Sequence, residues 1–203
     1  MRSPRPHSPF VLSSSPQRSR ILAAAARLFQ RQGYPATSVR MLAAEVQLGA
    51  SSLYNHIDGK QELLREICDS SARRFADGLD EVEASAKAGP EFLAGLIGLH
   101  VRLALEHPET VTVFNDEWRH LEPAALDGFL RKRKAYERRI TDRLQREVTA
   151  GTLRDVPLAV AVPTLLSSLS WVYNMHHPTA PDARELAQQL TALWATGWRS
   201  RDR

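Results

Sequence analysis

One cysteine, Cys68, in 203 residues rules out an internal disulfide and suits a reducing compartment. Long apolar runs are missing too, since nothing approaches the roughly 18 consecutive residues that a membrane-spanning helix needs. The first 17 residues hold only Phe10-Val11-Leu12 between prolines and serines, so no signal-peptide core is expected there. Alternating runs rich in Val and Ile are lacking, and no strands are predicted. Also absent are Gly-x-Ser-x-Gly, a phosphate-binding loop, His-Glu-x-x-His and Cys-x-x-Cys. The seven histidines are scattered, and the adjacent pair His176-His177 would diverge by about 100° on a helix. No catalytic centre, metal site or cofactor is therefore expected, and a cytoplasmic location is.

What is present is a 43% hydrophobic composition, enough for a real core, and an uneven net charge of +4. Residues 1–64 carry eight Lys or Arg against three acids, a balance of +5; residues 65–203 carry nineteen against twenty, a balance of −1. Positive charge gathered at one end is the footprint of a polyanionic partner. Residues 1–16, rich in Ser, Pro and Arg without periodicity, are predicted to form a disordered basic arm.

Apolar spacing then predicts helices throughout. Ile21, Ala25, Leu28, Phe29 and Gln32 share one face of a first helix that begins at Ser15 or Gln17 and stops at Gly33. Val39, Leu42, Ala43 and Val46 follow at i, i+3, i+4, i+7. A turn at Gln47-Leu48-Gly49-Ala50 comes next, with Gly49 expected to absorb any positive φ. Leu53 and Ile57 can pack a short second helix back on that stripe. Its outward residues are Ala50, Ser51, Ser52, Tyr54, Asn55 and His56, a small, polar and aromatic face without a carboxylate. Helix, turn and short helix are the arrangement that lays one helix into a DNA major groove. Asp58 is expected to cap a fourth helix over 60–82. Breaks at Gly89-Pro90, His107-Pro108, Pro123, Gly151, Pro157, Pro178 and Pro181 divide the rest into helices over 91–106, 108–120, 123–149, 157–176 and from 181 to about 198. The fold class is all-α with about nine helices: a helix-turn-helix domain over 17–64 and a helical domain over 65–203.

Several stretches lie in order within the roughly 45 positions from Arg20 to Leu64: Ala26-Arg27-Leu28-Phe29-Gln30-Arg31-Gln32-Gly33-Tyr34, Thr37-Ser38-Val39-Arg40, Leu53-Tyr54-Asn55-His56 and Lys60-Gln61-Glu62-Leu63-Leu64. Together they resemble the N-terminal domain of the TetR family of bacterial transcriptional repressors. Two positions depart from the family's pattern: Gln47 stands where Gly is usual in the turn, and Gly49 where Ser or Thr opens the recognition helix. The resemblance implies three helices for a double-stranded DNA operator, and later helices for a ligand and a homodimer. On the reading head, Tyr54, Asn55 and His56 are candidates for phosphate or base-edge contacts, beside Ala50, Ser51 and Ser52. Thr37 at a helix N-terminus, Arg40 and Lys60 are candidates for phosphate.

Val162, Leu165, Leu166, Leu169, Val172 and Tyr173, with Leu186, Leu190, Leu193 and Trp194, present more apolar surface than one neighbouring helix covers. A partner subunit is expected on it, as the family's four-helix bundle also implies. The middle helices hold apolar and aromatic residues suited to either a core or a small-molecule pocket: Leu96, Leu99, His100, Leu103, Phe114, Trp118, Phe129, Tyr136, Ile140, Leu166 and Trp171. Arg102, Asn115, Arg119 and Asn174 are their candidate polar neighbours. The pieces Phe114-Asn115-Asp116-Glu117-Trp118-Arg119 and Ser170-Trp171-Val172-Tyr173-Asn174 are similar to those in the family branch that senses acyl-coenzyme A thioesters from fatty-acid, phenylacetate or sterol-fragment breakdown. That similarity implies an acyl-coenzyme A effector. The basic run Arg131-Lys132-Arg133-Lys134, with Arg138 and Arg139, could receive coenzyme A phosphates or be a solvated face. The alternatives are a free hydrophobic compound as effector, or a metal-responsive or architectural DNA-binding protein with no organic ligand.

Overall fold

The computed structural model describes residues 15–175 and 182–198. Of the arm expected over 1–16, residues 1–14 lie outside the described residues, as does the pair His176-His177, while Ser15 and Pro16 belong to the start of the first helix.

Ser15 accepts a hydrogen bond from the Arg18 amide, Pro16 takes the first helical position, and α1 runs Pro16–Gln32 until Gly33 closes it at φ 82°. Ser38 caps α2 (Val39–Glu45) by accepting from the Met41 amide, and α3 is a single turn, Ala50–Leu53. The turn between α2 and α3 corrects the expectation for Gly49. Gln47 itself takes φ 58° while Gly49 sits at φ −67°, so the strained position carries a side chain and the glycine does not relieve it.

The long connecting helix α4 (Lys60–Ser85) opens at Gly59, not on the Asp58 carboxylate. The Asp58 amide donates to Glu62 Oε2 at 2.7 Å, so a carboxylate three residues inside the helix reaches back to its start, as in half of a capping box. Beyond it lie α5 (Gly89–Glu106), α6 (Pro108–Thr112), α7 (Pro123–Thr149), α8 (Leu158–Ser170) and α9 (Ala183–Trp198). The segment expected as one helix to His120 breaks up: α6 widens into a π-turn, Val113–Glu117, and tightens into a 3₁₀ turn, Trp118–His120. After α8 comes a 3₁₀ turn, Val172–Asn174, where one helix to 176 was expected. The described residues form nine α-helices and no strands, and no described helix is long and apolar enough to cross a membrane.

Two apolar cores follow. Ile21, Leu22, Phe29, Leu42, Leu53 and Leu63 centre the first, which extends past residue 64 to Ile67 and Cys68 and takes in Val113, Leu121 and Phe129 from later in the chain. The second gathers Phe92, Leu96, Ile97, Leu144, Val162, Leu165 and Leu169. Phe114 packs against both. Val162, Leu165, Leu169, Val172 and Tyr173 are buried within this second core. They fill the subunit's own interior, and only a narrower face of α8 remains for any partner. At Gly78 a Cβ would sit 2.2 Å from Leu99 Cδ1, so α4 lies hard against α5.

Candidate DNA-reading surface and effector cavity

On the reading head, Arg40, Ala50, Ser51, Ser52, Tyr54, Asn55 and His56 are exposed, and Tyr54 keeps 57% of its surface open. Three of the acids nearby, Glu45, Glu62 and Glu66, are held by arginines of α1. Glu45 lies 3.5 Å from Arg27 and 3.3 Å from Arg31, and Glu62 and Glu66 both grip Arg18 at 2.7 and 2.6 Å. Arg18 also donates to the His56 carbonyl, tying the end of the α3 turn to α1 and α4.

Two expected phosphate ligands are placed otherwise. Thr37 is 1% exposed; its hydroxyl donates to the Gly33 carbonyl at 2.9 Å and accepts from Gln32 at 3.0 Å. The capping hydroxyl at the surface is that of Ser38. Lys60 turns its ammonium inward, donating to the carbonyls of Tyr34 and Thr37 at 3.0 Å each and of Pro35 at 3.4 Å. Its Nζ also lies 4.2 Å from the Tyr34 ring centroid. All three ammonium protons are committed to the loop between α1 and α2.

A cavity of about 420 Å³ lies among α4, α5, α7, α8 and the π-turn. Of the expected ligand residues it gathers Phe114, Asn115, Phe129 and Tyr136. Leu99 and Leu103 are core residues. Arg102 lines a separate groove between α5 and α9. Trp118 stacks on Phe129 at 5.6 Å, with the exposed Arg119 guanidinium over its ring. Trp171 and Asn174 are exposed. His100 and Leu166, expected as core or pocket residues, line it as well, and Phe75, Arg73 and Ser167 are lining residues beyond the expected set. The periodicity of α4 marks Phe75 as inward-facing, but nothing local tells an inward residue that meets a cavity from one that meets a core.

The lining is a chain of rings. Centroid separations are 5.3 Å for Phe129–Phe114, 5.3 Å for Phe114–Phe75, 4.8 Å for Phe75–His100 and 6.1 Å for Phe75–Tyr136. Burial pushes the His100 imidazole down to about 4 and the Tyr136 phenol well up, so both are neutral near pH 7. Of the cations at the rim, Lys132 pairs with Asp69 at 2.6 Å, and Arg139 with Asp80 and Glu83 at 2.6 and 2.7 Å.

The π-turn links this cavity to the head. Phe114 and Asn115 line the cavity, and Asn115 donates to the Ser170 carbonyl of α8 at 3.3 Å. Asp116 accepts from the Tyr173 hydroxyl. Glu117 accepts from the backbone amide of Tyr34 at 3.0 Å, and the Tyr34 ring stacks on His120 at 5.5 Å. Among the described residues no group of His, Cys, Asp and Glu could hold a metal ion. Burial also pushes the Cys68 thiol up to about 12, leaving no thiolate for redox chemistry.

A basic reading head built on a helix-turn-helix, joined to a helical domain with an aromatic cavity, defines a ligand-responsive DNA-binding regulator. The profile described as bacterial regulatory proteins of the tetR family matches residues 21–67, and that of the tetracyclin repressor-like C-terminal domain matches residues 87–197. The chain belongs to the TetR family; it is a transcriptional repressor and not an enzyme. Over 188 residues it is 29% identical to the HTH-type transcriptional repressor KstR2 of Mycolicibacterium smegmatis, covering 87% of this chain and 88% of that one. The fold is similar to that of the ketosteroid transcriptional regulator KstR2 of Mycobacterium tuberculosis, with a TM-score of 0.86, 22% identity, and 93% and 97% of the two chains covered. It is also similar to that of AibR in complex with isovaleryl coenzyme A and operator DNA, with a TM-score of 0.79, 22% identity, and 87% and 97% covered.

Proposed function

We propose that two copies of this chain bind a palindromic operator in the cytoplasm and are released from it by a hydrophobic effector, with an acyl-coenzyme A thioester favoured. One observation carries the reading: the aromatic cavity and the reading head share a wall. The π-turn that puts Phe114 and Asn115 on the cavity also puts Glu117 on the Tyr34 amide, and α4 runs from the cavity to the head. A ligand releases DNA only if it binds the two conformations unequally, and a ligand in this cavity presses on both connections.

For the dimer, residues 156–175 contain no charged side chain, and Val160 and Trp171 are 64% and 62% exposed. On α9, Leu193 is 74% exposed. These supply an uncharged face on the two helices that the family uses for its bundle. Two reading heads then meet two half-sites.

The thioester is supported by Arg73 and Arg133 at the cavity rim and by the coenzyme A ester held by AibR. The pairing of Lys132 and Arg139 with carboxylates favours a second reading, a free hydrophobic compound that needs no charged mouth. An electrophoretic shift on DNA just upstream of the chain's own gene, titrated with acyl thioesters and the matching free acids, separates them. Release by thioesters at concentrations where free acids are inert is expected; release by free acids alone leaves the repressor and removes the thioester.

A further inference from the structure

His100 on α5 and Tyr136 on α7 meet at the cavity, Nε2 to hydroxyl, at 2.9 Å. Around them the lining is apolar, from Phe75, Phe114, Ala104 and Leu166. Two polar groups in such a wall cost more than two apolar ones of the same size would. Their mutual bond uses one proton and one lone pair, whereas a phenol and an imidazole together offer two donors and several acceptors. With Nε2 unprotonated, Tyr136 donates to His100 and the phenol oxygen can still accept from a hydroxyl. With Nε2 protonated, His100 donates to the phenol oxygen and the Tyr136 proton is free for a carbonyl. Either tautomer leaves the pair neutral. A carboxylate or ammonium brought against it would lose its water and gain no counter-charge from the pair. Of the cations that line the cavity, Lys132 and Arg139 are already held by carboxylates, and Arg73 and Arg133 stand at the rim and not beside the pair.

We propose that His100 and Tyr136 are the specificity residues of the effector cavity, selecting a ligand whose buried end carries a neutral oxygen, a carbonyl or a hydroxyl, on an otherwise hydrocarbon body. This rests on the cavity's being the effector site, as argued above. It adds a requirement that neither a plain acyl chain nor an unfunctionalised aromatic compound meets.

The test is direct binding to the full chain, followed by calorimetry or tryptophan fluorescence, with two matched sets of probes. One set is octanoyl-coenzyme A, 7-oxooctanoyl-coenzyme A and 7-hydroxyoctanoyl-coenzyme A. The other is phenylcyclohexane, 4-phenylcyclohexanone and 4-phenylcyclohexanol. In at least one set an oxygenated member is expected to bind about tenfold more tightly than its parent. The Tyr136→Phe variant, which keeps the ring, is expected to reduce that preference to about twofold while the parent compound binds as before; His100→Phe should do the same. The oxo and hydroxy members show which oxygen is preferred. Preference within the free compounds, with no thioester binding, supports the inference and removes only the thioester reading. Absence of preference in both sets, including failure of every oxygenated probe to bind, overturns it. So does a Tyr136→Phe variant that weakens parent and oxygenated probes alike, because the pair is then only a structural tie between α5 and α7.

Discussion

Lys60 illustrates how a single cation can serve the reading head without touching DNA. Its ammonium is shared among the carbonyls of Tyr34, Pro35 and Thr37, so it binds the start of α4 to the loop that opens α2. Lys60→Met is expected to lower both melting temperature and operator affinity. The slope of log affinity against log salt should stay within about 0.3 of the wild-type value, since a lost phosphate contact would reduce it by about 1. Fluorescence anisotropy at several salt concentrations measures it, and a drop of a full unit would return Lys60 to the phosphates. His100 carries a second prediction. Its folded value of about 4 lies below the 6.5 of an exposed imidazole, so between those values the unfolded chain holds more protons. Stability is then complete above about pH 6.5 and declines as pH falls toward 4, by about 3 kcal/mol in all. Urea titrations of wild type and His100→Phe at pH values across that window should show a flatter acid limb in the variant. Parallel limbs would mean that His100 does not titrate there.

At the scale of elements, the turn between α2 and α3 and the π-turn after α6 are where local geometry departs from regular helix. Gln47 holds φ 58°, a conformation that glycine adopts without the Cβ penalty. Gln47→Gly is expected to stabilise the protein by about 0.5–1 kcal/mol, with the operator still bound, by denaturant titration and mobility shift. A destabilised variant would show that the Gln47 side chain is itself held. π-turns inside helices recur at functional sites, and this one hangs the Tyr34 amide on Glu117. Glu117→Ala should leave operator affinity, and the affinity for any effector identified in the release titration, within about threefold of wild type. The factor by which that effector weakens operator binding should shrink, because that factor is a coupling between sites and not a property of either. Unchanged coupling would assign the transmission to α4 alone.

For the whole molecule, the charge-free stretch 156–175 and the exposed Leu193 set the expectation of a two-fold assembly. Leu193→Glu introduces two like charges near the axis of such a dimer. Sedimentation velocity should then show a shift toward the monomer at micromolar protein, and specific operator binding should fall by at least about tenfold, since one head alone reads one half-site. A variant that sediments as wild type would place the interface elsewhere.

Much of this was legible along the chain. The stripe Val39, Leu42, Ala43, Val46 fixed the face of α2 that packs inward, Gly33 and the prolines marked most helix ends, and the segregation of +5 into residues 1–64 marked the reading end. Each is a short-range fact: helical period, backbone restriction and local charge are complete within a few residues. What tertiary structure decided was where ambiguous side chains go. Thr37 and Lys60 look like surface polar groups until Gly33, Gln32 and the carbonyls of the α1–α2 loop appear beside them. Val162, Leu165 and Leu169 look like an interface until α5 and α7 cover them. The cavity needs Phe75, His100, Phe114 and Tyr136 from four parts of the chain. Whether an apolar face meets a core, an empty space or another subunit depends on which distant helix arrives opposite, and no pattern within one helix encodes that.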